Sequence, residues 1–118
     1  MKNIIAEKSH AFAIRIVNLY KHLSVEKKES VLSKQLLRSG TAIGALVKEA
    51  EHAQSKADFL NKMNIALKEA NETEYWLTLL KDTNYISQNE FDSIANDCTI
   101  ILKLLISIVR RTKENLKH

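Results

Sequence analysis

Residues 33–80 read SKQLLRSGTAIGALVKEAEHAQSKADFLNKMNIALKEANETEYWLTLL, and this stretch decides the fold. Leu32, just ahead of this stretch, and Leu36, Ser39, Ile43, Leu46 and Ala50 recur at alternating steps of three and four, and so do Phe59, Met63, Ala66, Ala70, Thr73, Leu77 and Leu80. Such steps return to one face of an α-helix, whereas a half-buried strand alternates every second residue. The phase is lost between Ala50 and Phe59. There Ser55 followed by Asp58 is a start signal, since a serine hydroxyl can accept from the amide three residues on. Two helices with a short connection are predicted, the first beginning at Leu32 or slightly earlier.

The same spacing runs outward in both directions. Upstream it links Ile5, Ser9, Phe12, Ile16, Leu19 and Leu23; downstream it links Phe91, Ile94, Cys98, Ile101, Leu105 and Val109. Ser87-Gln88-Asn89-Glu90 has the form of a capping box at the start of the last helix. The charged stretch from Ser24 to Ser30 is the predicted first connection. With no proline and two glycines, the chain lacks the turn formers of a sheet-rich fold. Helices of about 22–27 residues joined by short connections favour antiparallel neighbours. The expected class is all-α, an antiparallel up-down-up-down four-helix bundle forming a single domain over residues 1–118.

Cys98 is the only cysteine, so no intrachain disulfide can form and a reducing compartment is expected. Glu7, Lys8, His10 and Arg15 interrupt the apolar residues of the N-terminal segment, unlike a signal peptide. No apolar run approaches the ~18 residues of a membrane span. A soluble cytoplasmic protein without a membrane partner is the expectation. Gly40 and Gly44 stand mid-helix, where each costs ~1 kcal/mol relative to alanine. Beside Thr41, Ala42 and Ala45 they make a surface for close helix packing. Neither a Walker spacing nor a preceding strand accompanies them, which excludes a phosphate loop.

The outer helices carry more apolar residues than one buried stripe requires. Ile100 and Leu104 fall outside the stripe centred on Cys98 and Leu105, and Ile14 lies opposite the Phe12 and Ile16 stripe. Ile14, Ile100, Leu104 and Ile108 are therefore predicted at the contacts of a homo-oligomer.

Several separate segments resemble one known family in order and spacing: Gln35-Leu-Leu-Arg-Ser-Gly-Thr with Ile43-Gly-Ala, then Gln54-Ser-Lys with Asp58-Phe, Ile65-Ala-Leu-Lys-Glu-Ala, and Glu72-Thr with Tyr75-Trp. They are similar to the 23S rRNA-intervening-sequence proteins, the S23-type four-helix bundle family. The resemblance covers nearly the whole chain and is strongest from Leu32 to Leu80. It implies an antiparallel four-helix bundle assembling as a ring-like homopentamer, with no enzymatic activity. It also implies kinship with a basic pentameric accessory protein of diversity-generating retroelements that engages nucleic acid and a reverse transcriptase. The chain departs from the family pattern at Ala42, Leu46 and His52.

Arg38, Glu49, Lys68, Glu69, Glu72 and Tyr75 put charge and a polar aromatic on the middle helices. Arg38, Glu49, Lys68, Glu72 and Tyr75 are predicted to form an inter-helix polar network that fixes register, since a buried charge must be paired. Catalytic and metal readings have less support. Glu49 and His52 make one E-x-x-H, and a di-iron site in a bundle needs two such motifs and two more glutamates. His10, His22 and His118 have no ligand spacing, and Cys98 lies on an apolar stripe. No catalytic residue, metal or cofactor is expected.

The chain carries a formal net charge of +4. In the expected topology, residues 1–11, 46–64 and 103–118 share one end of the bundle. Lys2, Lys8, Lys48, Lys56, Lys62, Lys103, Arg110, Arg111, Lys113 and Lys117 fall there, against Glu7, Glu49, Glu51, Asp58 and Glu114. A ring would present all copies of this end on one side and favour phosphate. Lys2, Lys8, Lys56, Arg110, Arg111, Lys113 and Lys117 are the predicted nucleic-acid-binding residues. The function expected is a non-enzymatic oligomeric scaffold with a basic face for RNA or DNA. The alternative is a protein–protein adaptor that binds no nucleic acid and uses its middle-helix surface.

Overall fold

In the computed structural model, residues 3–117 are described, and among them there are four α-helices and no strand. They are α1 (Ile4–Lys21), α2 (Leu32–Ala50), α3 (Lys56–Asp82) and α4 (Gln88–Leu116). α1 runs on into a π-helical turn, His22–Glu26, in which the Lys27 amide reaches the His22 carbonyl at 3.2 Å. Among the described residues no helix is long and apolar enough to cross a membrane.

Each helix begins on a side chain that satisfies otherwise free amides. Asn3 accepts from the Ala6 amide at 3.2 Å, and Ser55 accepts from the Asp58 amide at 3.0 Å. Ser87 accepts from the Glu90 amide at 3.1 Å while Glu90 accepts from the Ser87 amide at 2.8 Å, which completes the capping box. The start of α2 is built differently. The buried Glu29 carboxylate accepts from the amides of Val31, Leu32 and Ser33 at 3.0, 2.7 and 2.9 Å. The charge suits the positive end of the helix dipole. Ahead of it the chain reverses through Lys28 at φ 54°, a left-handed conformation uncommon outside glycine. After α3 the reversal uses Asn84 at φ 68°, with the Tyr85 amide on the Leu80 carbonyl at 2.9 Å. Asparagine tolerates that conformation better than most residues.

Specific contacts tie each helix to the next along the chain. Ile16 meets Gly40 and Ser9 meets Gly44; Ser39 and Thr73 hydroxyls lie 2.9 Å apart, and Glu49 pairs with Lys62 at 3.2 Å. Between α3 and α4, the Cys98 thiol lies 3.6 Å from the Ala70 carbonyl and the Lys81 ammonium sits 4.4 Å above the Phe91 ring. Consecutive helices pack closely, whereas α1 and α4 touch sparingly. The result is an elongated four-helix bundle of 51 × 25 × 21 Å.

Phe12, Ile16, Leu36, Ile43, Leu77, Leu80, Ile101 and Leu105 are fully buried at its centre. At about 1.5–3 kcal/mol for each such side chain removed from water, this cluster dominates stability. On α2 the buried face is turned from the expected stripe. Ser33, Gly40 and Val47 enter the core, while Leu32 and Leu46 are only partly buried. The cause is Gly40: a Cβ there would lie 2.8 Å from Cγ1 and Cγ2 of Ile16, so the bare backbone receives the Ile16 side chain. Gly44 faces the Ser9 carbonyl, 3.4 Å from where its Cβ would be.

Candidate functional site

The structure brings the start of α1, the α2–α3 connection and the last turns of α4 to one end. Three observations place them there: Asn3 donates to Glu51 at 3.2 Å, Glu49 pairs with Lys62, and Asn3 and Ile4 line a cavity with Leu104, Ile108 and Arg111. Lys8, Lys56, Arg110, Arg111, Lys113 and Lys117 are all exposed. None of them lies within ion-pair distance of a carboxylate among the described residues. Lys2 lies outside the described residues. From Arg110 to Lys117 four cations face one carboxylate, Glu114, so the end of α4 is strongly positive. Lys62, by contrast, is spent on Glu49.

The cations divide between two sides of α4. Arg111 lines the cavity of about 530 Å³ at the α1–α4 seam, and Lys8 lines a smaller one with Asp97 and Ile100. Lys103, Arg110 and Lys117 recur every seven residues, on the side of the helix away from the buried Ile101 and Leu105. Lys103 stands outside the predicted nucleic-acid set, yet the α4 stripe of Cys98, Ile101 and Leu105 already sets it in this line.

Cavities recur along the α1–α4 seam. A third cavity, of about 580 Å³, lies at the opposite end over Leu19, Ile86 and Ile94. Between the cavities one polar clasp crosses the gap. Arg15 donates to the Asp97 carboxylate at 2.6 Å and to the Ser93 hydroxyl at 2.9 Å. Near the seam, Ile4 is 54% exposed and Ile100 36%, with Leu104 and Ile108 partly buried. Ile14 is 51% exposed and points away from the core. Isolated exposed apolar residues are ordinary, but a sparsely packed seam edged by several is the kind of surface that partners cover.

The charged residues of α2 and α3 do not join into the one network expected from the sequence. Glu49 pairs with Lys62, and Glu72 accepts from the Trp76 indole at 3.3 Å. Arg38 and Lys68 are exposed and have no ion-pair partner among the described residues. Tyr75 is exposed and packs edge-on against Trp76, 5.1 Å between ring centres. The reason lies in the register. Ser39 opposite Thr73 and Glu49 opposite Lys62 set Arg38 outward, while the buried polar contact at this level is the hydroxyl pair. One oxygen of Glu69 is buried without a hydrogen-bond partner among the described residues.

Two titratable groups are shifted by their surroundings. Hydrogen bonds from the Ser87 backbone and side chain, with smaller effects of His22 and Lys27, hold the Glu90 carboxyl below the usual value. Burial, and then the Glu74 charge, pushes the Cys98 thiol up to about 12. A thiol so poorly ionised is a packing group rather than a nucleophile. No cluster of three or more His, Cys, Asp or Glu able to hold a metal occurs among the described residues, and Glu49 of the E-x-x-H is engaged by Lys62.

No curated protein is matched by the chain. Among solved structures it is similar to a Bacteroides thetaiotaomicron protein of unknown function from the S23 ribosomal protein family. The two are 65% identical with a TM-score of 0.90, over 92% of this chain and 96% of that one. The family described as 23S rRNA-intervening sequence protein matches residues 1–107. Four helices, two of them opening on the caps expected at Ser55 and Ser87, and a family match over most of the chain agree, and the chain belongs to the 23S rRNA-intervening sequence protein family.

Proposed function

We propose that this protein is a non-enzymatic cytoplasmic scaffold: an antiparallel up-down-up-down bundle that assembles as a ring-like homopentamer and presents a basic face to RNA or DNA. The observation that carries the reading is the set of exposed, unpaired cations at the end of α4, joined there by Lys8 and Lys56. Contacts that ascend one helix while descending the next support the topology. The sparsely packed α1–α4 seam and the exposed Ile14 and Ile100 support an assembly, because they leave apolar surface that a second copy would remove from water. Assembly matters to the charge argument, since a ring repeats a modest local field on one side.

Replacing Arg110, Arg111, Lys113 and Lys117 together with serine tests the reading. Loss of nucleic-acid retention with unchanged assembled mass is expected; unchanged retention would count against the basic face. The adaptor reading is favoured by one observation, the exposed Tyr75 packed edge-on against Trp76, since exposed aromatics anchor protein interfaces. Under that reading Tyr75→Ala abolishes partner binding and the serine variant changes nothing.

A further inference from the structure

We infer that the nucleic-acid contact is made by one ridge of α4 and its C-cap, the row Lys103–Arg110–Lys117, and that its ligand is the phosphate backbone of a duplex. This inference rests on the proposed basic face and assigns its geometry. Residues seven apart on a helix lie ~10.5 Å apart along the axis and drift only ~20° around it. The three cations therefore form a nearly straight line about 21 Å long. Lys103 and Arg110 lie two and five residues from the buried Leu105, which puts them on the far side of the helix, and all three residues are exposed. Arg111 is a quarter-turn away and lines the α1–α4 seam with Ile4 and Leu104, as Lys8 does with Ile100. Those two cations edge apolar surface; the ridge does not depend on the seam.

Cations spaced along a rigid helix suit a ligand whose own charges are held at fixed positions, which a duplex provides and a flexible single strand does not. Single strands are gripped chiefly by stacking bases on aromatic rings. Among the described residues the one large exposed aromatic is Tyr75, on α3. Contacts confined to phosphates position a duplex without reading its sequence. Glu114 is the one carboxylate on α4 beyond Asp97, and it falls between Arg110 and Lys117 at helical spacings of four and three. It weakens the row from within.

The test compares three proteins: wild type, a row variant (Lys103, Arg110 and Lys117 to Gln) and a flank variant (Lys8, Lys56 and Arg111 to Gln). Each is titrated with a duplex RNA, a duplex DNA and a single strand of mixed sequence across a series of salt concentrations. The row variant should lose about three from the slope of log K against log salt per bound subunit, roughly one per phosphate contact, while the flank variant keeps most of the slope. Glu114→Gln should bind more tightly than wild type, a gain that misfolding cannot produce. Whichever duplex binds more tightly names the source of the phosphates, and either supports the row. A flank variant that loses as much as the row variant, or a single strand preferred over both duplexes, overturns the inference while leaving the basic face standing. Wild type that binds none of the three overturns the basic face itself.

Discussion

Ile16 and Gly40 meet so closely that the two glycines of α2 should respond oppositely to the same substitution. Gly40→Ala places a methyl 2.8 Å from two carbons of a fully buried isoleucine. Overpacking of about 1–3 kcal/mol then outweighs the ~1 kcal/mol gained in helix propensity, and the protein is destabilised. Gly44→Ala meets its nearest atom at 3.4 Å, ordinary contact, so the propensity gain survives and stability rises by up to about 1 kcal/mol. Urea unfolding of the two variants checks both signs. Cys98 gives a second prediction at this scale. With its thiol raised to about 12 by burial, it should stay unreactive toward a thiol reagent at pH 8 until the protein is unfolded.

At the scale of elements, the starts of the helices carry much of the definition. Glu29→Ala removes a carboxylate shared by three amides of α2 and should cost about 2 kcal/mol, measured by thermal or urea unfolding. Glu90 gives a pH dependence. Its carboxyl is held below the ordinary glutamate value in the folded chain, so its stabilising contribution is present at neutral pH and is lost as the pH falls through the folded value. Glu90→Gln should flatten that part of the acid unfolding curve. Much of this level was legible beforehand. Ser55 and Ser87 are caps of the usual residue type at the usual spacing, and the stripes of three and four gave the helices. Glu29 was hidden, because a glutamate in a charged run looks like solvated connection until its carboxylate is seen turned back onto α2. The choice of Val47 over Leu46 was hidden too, since it follows from how deeply Ile16 enters at Gly40. Ion pairs between helices depend on register, which one sequence leaves open, so the sequence suggests for Arg38 and Lys68 a network that they do not enter.

For the whole molecule, the decisive features are the loosely closed α1–α4 seam and the concentration of charge at one end. A single chain with a net charge of +4 is a weak polyelectrolyte, and its exposed isoleucines would stay in water. Repetition in a closed assembly covers the apolar surface and sums the field, so both halves of the proposed function depend on it. The charge cluster could be read from the sequence. Its division into a ridge and a seam could not, because the seam depends on how α1 packs against α4 beside Arg111 and Lys8. The most direct test is the mass of the purified protein by light scattering at micromolar concentration. A ring-like pentamer gives a single species at five times the 13.5 kDa chain. A clean 13.5 kDa monomer would contradict it.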